Sequence, residues 1–230
     1  MFDSVPKVML AALMLAVLQV ALCVSAPAHA ADAPVSTVMG NRRMILVHTA
    51  QGLVGASTVS MLDGSKTGLY YDLGEYAGEL RPKAKKVVLL GLGGGEMLRA
   101  ARRSLPKADL LGIDNDPRML KAAVQEFHVE RFGARPQLAD AFVAVKQLRG
   151  VDVLMVDLFV GDTMPAAMLR LQFWKDCRAA LAPGGLVVTN IYPAHLVPAV
   201  MQLEEQAGLK VFEQKSPSGG TTVTFAGGPL

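Results

Sequence analysis

The sequence predicts an α/β fold in which a mostly parallel sheet carries helices on both faces. After residue 85, short apolar runs alternate with segments spaced like amphipathic helices, and such strand–helix repeats build parallel sheets. The first run, residues 86–92, is almost continuously apolar, as expected for a strand buried on both faces. With 51% hydrophobic and 19% charged residues, the 230-residue chain can bury a large core, which excludes a disordered or fibrous protein.

The elements are predicted in regular order from residue 86 onwards. Asp116-Pro117 begins the second helix, because aspartate caps helices and proline fits their first turn. Pro183-Gly184-Gly185 is expected to end the fourth helix. The last two strands should form an antiparallel hairpin through residues 216–220. Strands are predicted at residues 86–92, 109–114, 137–139, 151–159, 186–191, 210–214 and 221–225, and helices at 95–104, from 116 onwards, at 142–148, 165–181 and 195–207.

A small N-terminal β-hairpin subdomain is predicted over residues 31–82, ahead of a larger Rossmann-like domain over residues 83–230. Two or three short strands are marginally stable alone, so this part should pack on the larger one. Its strands are predicted at residues 43–48, 52–61 and 66–71, with turns at Gln51-Gly52 and Asp63-Gly64.

The first thirty residues have the pattern of a secretory signal peptide. Lys7 precedes an apolar stretch over residues 8–24, and small residues follow at Ala28 and Ala30. We therefore expect cleavage after Ala30 and an exported, periplasmic protein. An N-terminal membrane anchor is the alternative, although the stretch is short for a membrane span.

Charge, cysteine content and histidine spacing argue against several classes of function. Twenty acidic residues nearly balance 23 basic ones, so no nucleic-acid partner is expected. Cys23 would leave with the signal peptide, and Cys177 lies at helical spacing with apolar residues, which favours a buried hydrophobe over a nucleophile. His48, His128 and His195 are far apart in sequence, so no metal site is predicted.

Residues at the predicted strand ends form a candidate nucleoside site, because open parallel sheets bind ligands beyond the carboxyl ends of their strands. The first strand enters a glycine-rich turn before a helix, where backbone and ligand can approach closely. Asp114 can accept hydrogen bonds from ribose hydroxyls. Asp140 can accept one from the adenine amino group, although a simple helix cap is the alternative. The candidate cofactor-binding residues are Gly91, Gly93, Gly95, Asp114, Asp140 and Ala141.

The order of these units, with an antiparallel hairpin at the end, resembles the class I S-adenosylmethionine-dependent methyltransferase fold. Within that fold, several segments resemble the polyamine aminopropyltransferase (spermidine synthase) family. Residues 91–99 align without a gap with its pattern G-G-G-D-G-G-x-L-R, and the resemblance covers residues 43–192. The other segments that carry it are Leu62-Asp63-Gly64, Tyr76 with Glu79-Leu80, residues 157–165, Phe173-Trp174 and residues 181–185.

The resemblance implies transfer of an aminopropyl group from decarboxylated S-adenosylmethionine to a polyamine or other amine. In the family, an aspartate at the position of Asp157 helps to deprotonate the acceptor amine, which then attacks the methylene group next to the sulfonium. A protonated amine has no lone pair, so a carboxylate that takes up the proton makes it nucleophilic. The candidate substrate-binding residues are Asp162, Tyr76 and Tyr192, which follows the fifth strand.

The sequence departs from the family pattern at the acceptor side. The second acid of the loop after the fourth strand is either replaced by Val160 or displaced to Asp162, and the glycine loop has Gly94 in place of an aspartate. Two alternatives therefore stay open: an S-adenosylmethionine-dependent methyltransferase that acts on a small nucleophile, and an exported non-catalytic nucleoside-binding protein with a decayed acceptor site. The expected partner is a small amine or polyamine, and a homodimer is left open.

Overall fold

A computed structural model describes residues 35–48, 54–161, 163–216 and 221–227. The predicted signal peptide and Asp162 lie outside these described residues.

The main sheet has seven strands in the order β6-β5-β4-β7-β8-β10-β9. Strands β4 to β8 run parallel, and β10 is antiparallel to both of its neighbours, which confirms the predicted sheet with a terminal hairpin. The strands are β4 (Lys86–Leu90), β5 (Asp109–Asp114), β6 (Ala134–Leu138), β7 (Val151–Val156), β8 (Leu181–Ile191), β9 (Lys210–Lys215) and β10 (Thr222–Gly227).

Helices cover both faces of this sheet because its central strands are apolar on both sides. In β4, Val87 and Leu89 belong to one buried cluster, and Val88 and Leu90 belong to the other. The first cluster packs against α1 to α3, and the second packs against α4 to α6. The helices are α1 (Leu73–Leu80), α2 (Glu96–Ser104), α3 (Pro117–Gln125), α4 (Ala141–Ala144), α5 (Leu171–Ala180) and α6 (Val197–Gln206); short 3₁₀ helices span Tyr70–Asp72, Val129–Phe132, Ala166–Leu169 and Ala194–Leu196.

A separate antiparallel sheet precedes the main one, in the order β1-β2-β3. Its strands are β1 (Val35–Met39), β2 (Arg42–His48) and β3 (Val54–Met61). The sequence predicted the second and third of these strands and missed β1.

The predicted strand at residues 66–71 is wrong, because this segment turns into the 3₁₀ helix and α1. The Asp72 carboxylate accepts hydrogen bonds from the backbone N–H groups of Thr67 (3.2 Å) and Gly68 (2.8 Å), which fixes the turn. Helix α1 then packs closely on α2: a Cβ atom at Gly74 would lie 2.2 Å from the carbonyl oxygen of Met97. Local turn chemistry and this helix contact therefore override the extended pattern.

Several predicted boundaries shift. The helix predicted at residues 165–181 is split into a 3₁₀ helix and α5. The helix already ends at Ala180, and Pro183-Gly184-Gly185 lie within β8, where the pairing with β7 changes register. Strand β7 ends at Val156, earlier than predicted, which leaves Asp157 at the very end of the strand.

Ion pairs attach the N-terminal segment to the main domain. The Arg103 guanidinium on α2 contacts Asp72 at 3.1 Å and Glu75 at 2.8 Å. The Tyr71 hydroxyl donates a hydrogen bond to the carbonyl oxygen of Ser57 at 3.1 Å, which links the 3₁₀ helix to β3. The segment before the main sheet is thus held where its side chains can reach the carboxyl ends of the strands.

One buried carboxylate opposes folding at high pH. Glu204 on α6 is fully buried and accepts hydrogen bonds from the hydroxyls of Thr189 (2.8 Å) and Thr224 (3.2 Å). Burial raises its pKa to about 7, and the two hydroxyls offset only part of this effect. The folded state therefore binds this proton more tightly than the unfolded chain, and stability falls as the pH rises through the pKa.

We expect Glu204→Gln to remove this penalty. The free energy of unfolding of the variant minus that of the wild type should increase by about 2 kcal/mol from pH 5 to pH 8, because glutamine has no charge to bury. Urea denaturation at several pH values measures this, with Glu130→Gln, an exposed acid on the 3₁₀ helix Val129–Phe132, as the control. A constant difference between variant and wild type across this range would contradict the assignment.

Candidate active site

The carboxyl ends of β4, β5 and β7 meet at one edge of the sheet. Leu90 at the end of β4 pairs with Ile113 on one side and Val156 on the other. The glycine loop (residues 91–95) follows β4, Asp114 is the last residue of β5, and Asp157 follows β7. Adjacent parallel strands therefore bring together three of the features predicted for the site.

The glycine loop lies directly against Asp157. Gly91 has a φ of +86°, and a Cβ atom there would lie 2.1 Å from the Asp157 carbonyl oxygen. The Asp157 N–H donates to the carbonyl oxygen of Leu90 at 2.9 Å, so its backbone still belongs to the ladder. Gly93 and Gly95 also have positive φ values, of +50° and +76°. Glycine at position 91 is thus required both by conformation and by the close approach.

Asp114 holds the glycine loop from the neighbouring strand. Its Oδ2 accepts a hydrogen bond from the Gly93 N–H at 3.1 Å, and its Oδ1 accepts one from the Asp116 N–H at 3.0 Å. Burial raises the pKa of the Asp114 carboxyl, and these backbone donors offset part of the rise. A carboxylate has about four acceptor positions, so these two donors do not occupy all of them.

Asp140 follows β6, whose Leu138 pairs with Asp114, so it lies at the same sheet edge. Its Oδ1 accepts a hydrogen bond from the Phe142 N–H at 2.7 Å and caps α4. This is the helix-cap arrangement that the sequence left as an alternative. Asp140 is exposed, and the adjacent Ala141 is buried.

Two side chains that are distant in sequence donate hydrogen bonds to the Asp157 carboxylate. The Tyr70 hydroxyl donates to Oδ2 at 3.0 Å, and the Asn190 amide donates to Oδ1 at 2.8 Å. Burial raises the pKa of Asp157 to about 6, because it outweighs the hydrogen bonds from Asn190 and Tyr70, which lower it. The carboxylate is thus largely ionised at neutral pH and able to accept a proton.

The candidate substrate-binding residues do not form one cluster around Asp157 in the described part of the chain. The Tyr76 hydroxyl donates to Glu213 Oε2 at 2.7 Å, and Lys215 Nζ lies 3.9 Å from the ring centroid, so its polar contacts are with β9 and not with Asp157. Tyr192 follows β8 two residues after Asn190 and is 37% exposed. Asp162 lies outside the described residues. The structure thus brings Tyr70, and not Tyr76, to Asp157.

The sequence analysis also missed two residues beside the glycine loop. The Thr58 hydroxyl of β3 accepts a hydrogen bond from the Gly94 N–H at 2.9 Å, and a Cβ atom at Gly94 would lie 2.6 Å from Thr58 Cγ2 and 2.7 Å from Phe127 Cδ1. Glu96 is only 2% exposed, lies 3.3 Å from Arg99 Nε, and has its pKa raised to about 7 by burial. An acid in the first turn of a helix is common, so nothing in the sequence marked Glu96 as buried.

The described residues contain neither a metal-ligand cluster nor a membrane-spanning helix. In those parts of the chain, no three His, Cys, Asp or Glu side chains are grouped so that they could hold a metal ion. Within the same ranges, no helix is long and apolar enough to cross a membrane. Cys177 is buried, as its helical spacing predicted.

We expect Gly91→Ala to destabilise the protein more than Gly150→Ala does. Both glycines have a positive φ, but a Cβ atom at Gly150 would meet nothing within 4 Å. Gly150→Ala therefore measures the backbone penalty alone, of about 1 kcal/mol. Gly91→Ala must also displace Asp157, which should cost at least about 1 kcal/mol more. Chemical denaturation measures the free energy of unfolding of both variants. Equal decreases would show that Gly91 does not contact Asp157 closely enough to exclude a Cβ atom.

Part of the chain is similar in sequence to polyamine aminopropyltransferases. No model of a known protein family matches the chain. It is 30% identical over 145 residues to a probable polyamine aminopropyl transferase of Bifidobacterium longum, a match that covers 60% of this chain and 31% of the relative. It is 34% identical over 109 residues to the polyamine aminopropyltransferase of Chromobacterium violaceum, covering 46% of this chain and 42% of the relative. The matches thus span less than half the length of these relatives.

Solved structures share the fold at lower sequence identity. A probable spermidine synthase from Corynebacterium glutamicum superposes with a TM-score of 0.61 at 17% identity, over 84% of this chain and 80% of the other. Spermidine synthase from Thermotoga maritima gives 0.58 at 18% identity, over 84% and 72%. Human methyltransferase-like protein 13, solved in complex with SAH, gives 0.57 at 20% identity, over 70% and 80%. The chain therefore has a spermidine synthase-like fold of the class I methyltransferase type.

Proposed function

We propose that the protein transfers an aminopropyl group from decarboxylated S-adenosylmethionine to an amine. The observation that carries this proposal is that Tyr70 and Asn190 hold the carboxylate of Asp157, a residue whose backbone carbonyl lies against the glycine loop at Gly91. A nucleoside bound along the loop would place its sulfonium near a carboxylate able to accept a proton. The names of the relatives and the spermidine synthase neighbours support the same chemistry.

The donor would be held by the glycine loop and the two acidic strand ends. The N–H groups of residues 91–95 already donate to oxygens of the protein, so the loop would contribute a surface and the two acidic strand ends would make the polar contacts. Asp114 would accept hydrogen bonds from the ribose hydroxyls, and Asp140 would accept one from the adenine amino group beside Ala141. The two hydrogen bonds that Asp114 already makes keep its carboxylate in a fixed orientation.

The acceptor amine would bind at Asp157 and lose a proton to it. Its nitrogen lone pair then attacks the methylene carbon next to the sulfonium, the carbon–sulfur bond breaks, and the electron pair leaves with sulfur as methylthioadenosine. The sulfonium is a good leaving group, so proton removal and orientation are the tasks left to the protein. Tyr70 and Asn190 hold the carboxylate so that its remaining acceptor positions face the amine.

An S-adenosylmethionine-dependent methyltransferase is the second candidate. It is favoured by the packing of Thr58 and Phe127 against Gly94, which leaves no space there for the acidic side chain of the aminopropyltransferase pattern. The products distinguish the two reactions. Methylthioadenosine release from the decarboxylated donor supports aminopropyl transfer, whereas S-adenosylhomocysteine release from S-adenosylmethionine supports methyl transfer.

We expect Asp157→Asn to lower turnover by at least roughly 100-fold, because the amide keeps the shape of the side chain but cannot take a proton. Methylthioadenosine affinity, measured by calorimetry, should stay within a few-fold of the wild type. The control is Asp152→Asn on the same strand, where one carboxylate oxygen accepts hydrogen bonds from the Lys85 and Lys86 N–H groups and asparagine can do the same. Full activity in Asp157→Asn would exclude this residue as the base.

We expect Tyr70→Phe to move the acidic limb of the pH–rate profile to higher pH. In the wild type, activity should fall as the pH drops through about 6, where Asp157 becomes protonated. The Tyr70 hydroxyl stabilises the ionised carboxylate, so its loss raises the pKa of Asp157 further, by about one unit. Tyr76→Phe should leave the limb in place, because that hydroxyl donates to Glu213. An unmoved limb in Tyr70→Phe would refute the coupling.

A further inference from the structure

A second cavity, of about 390 Å³, opens between the small N-terminal sheet and the helices beside it. Its walls come from the start of β2, the end of β3, α2 and the segment around the 3₁₀ helix Val129–Phe132. Phe127 lines this cavity, and its ring is also packed against the glycine loop, because a Cβ atom at Gly94 would lie 2.7 Å from Phe127 Cδ1. The ring thus forms a wall between the cavity and the loop. We call the space the arginine cavity, after Arg43, Arg99 and Arg131, which line it.

The described lining residues of the arginine cavity carry more positive than negative charge. Against the three arginines stands one acid, Glu126, whose carboxylate is already bound to Arg43 Nη1 at 2.5 Å. Behind the wall, Arg99 Nε lies 3.3 Å from Glu96, and burial raises the pKa of that carboxyl to about 7, so it is partly protonated at neutral pH. The Arg131 guanidinium makes no hydrogen bond or ion pair with any described residue. Since an arginine carries five N–H donors, most of the donors in the cavity are available to a ligand.

Two of the three guanidinium groups are fixed in place by the protein. Glu126 holds Arg43, and the Phe127 carbonyl oxygen accepts a hydrogen bond from Arg99 Nη2 at 3.0 Å. The Arg99 guanidinium also lies 5.1 Å from the centroid of the Phe132 ring. The side chains of Arg43 and Arg99 are only 24% and 26% exposed, so water screens their charges less than it screens those of fully exposed arginines. An anion in the cavity would therefore meet charges that need little further ordering.

The backbone that carries these contacts is strained at His128, which also lines the cavity. Its φ is +53°, and no other residue of the described ranges except glycine has a positive φ. Such a conformation costs on the order of 1–3 kcal/mol and is found most often at ligand-binding and catalytic sites. His128 follows Phe127, which binds Arg99, and precedes the 3₁₀ helix that contains Arg131. The strained residue thus sets the positions of two of the three arginines.

We propose that the arginine cavity binds a soluble phosphate compound. Guanidinium groups pair with both carboxylates and phosphates, but a phosphate group has three terminal oxygens and can bind three arginines at once, whereas a carboxylate has two. The volume of the cavity lies within the range of small-ligand pockets, roughly 300–1,000 Å³. None of the described lining residues belongs to the site of the proposed aminopropyl transfer, so this binding site stands independently of that reaction.

Calorimetry with the full chain tests the proposal, with glycerol 3-phosphate as the probe and succinate as the control. Both are mainly dianions at neutral pH, so they differ in the group that carries the charge. We expect glycerol 3-phosphate to bind about tenfold more tightly than succinate, and to keep its affinity in an excess of methylthioadenosine. Succinate binding as tight as that of the phosphate would overturn the choice of ligand. Competition by methylthioadenosine would place the anion at the strand ends instead. Binding to vesicles that contain phosphatidic acid but not to glycerol 3-phosphate, or no binding at all, would overturn a soluble phosphate ligand.

The variant Arg131→Gln tests the site itself, since this side chain has no partner among the described residues and its loss should leave the fold intact. Affinity for glycerol 3-phosphate should fall by at least about fivefold, because a charge-assisted hydrogen bond is lost. The matched control is Arg135→Gln, which removes the same charge from β6, where the side chain pairs with Asp109 outside the cavity. Affinity in that control should be unchanged. An equal decrease in both variants, or none in Arg131→Gln, would overturn the assignment, and melting temperatures measured alongside confirm that both variants are folded.

Discussion

The close contact between the glycine loop and the end of β7 is the constraint on which the rest of the site depends. Gly91 can approach the Asp157 carbonyl because it has no side chain, and its backbone conformation is one that other residues rarely adopt. Because β4 and β7 are paired neighbours, any movement of the loop also moves the proposed base. In the proposed reaction, donor binding and acceptor activation would therefore depend on one junction between two strands.

The N-terminal segment completes this junction. Tyr70 supplies one of the two hydrogen bonds to Asp157, and Thr58 closes over the glycine loop. The ion pairs of Asp72 and Glu75 with Arg103 on α2 attach the segment that carries Tyr70 to the main domain. The small sheet and α1 therefore act as part of the site, and the main domain alone would lack the hydroxyl that lowers the pKa of Asp157.

Local sequence patterns predicted the main sheet and the positions of Asp114 and Asp157 at the ends of its strands. Short continuous apolar runs favour strands that are buried on both faces. Once the strands are predicted, their carboxyl ends indicate Asp114 and Asp157 as candidate site residues. The acceptor side depends on contacts that no local pattern encodes. Tyr70 lies 87 residues from Asp157 and Asn190 lies 33 residues from it. The resemblance of its segment to the family pattern favours Tyr76, whereas Tyr70, which contacts Asp157, lies in the segment that the sequence predicts as a strand.

A crystal structure of the protein with methylthioadenosine tests the central claim most directly. We predict that the nucleoside lies along residues 91–95 with its ribose at the Asp114 carboxylate and its sulfur facing Asp157. Binding at another surface of the molecule, or a sulfur directed away from Asp157, would contradict a shared site for donor and base.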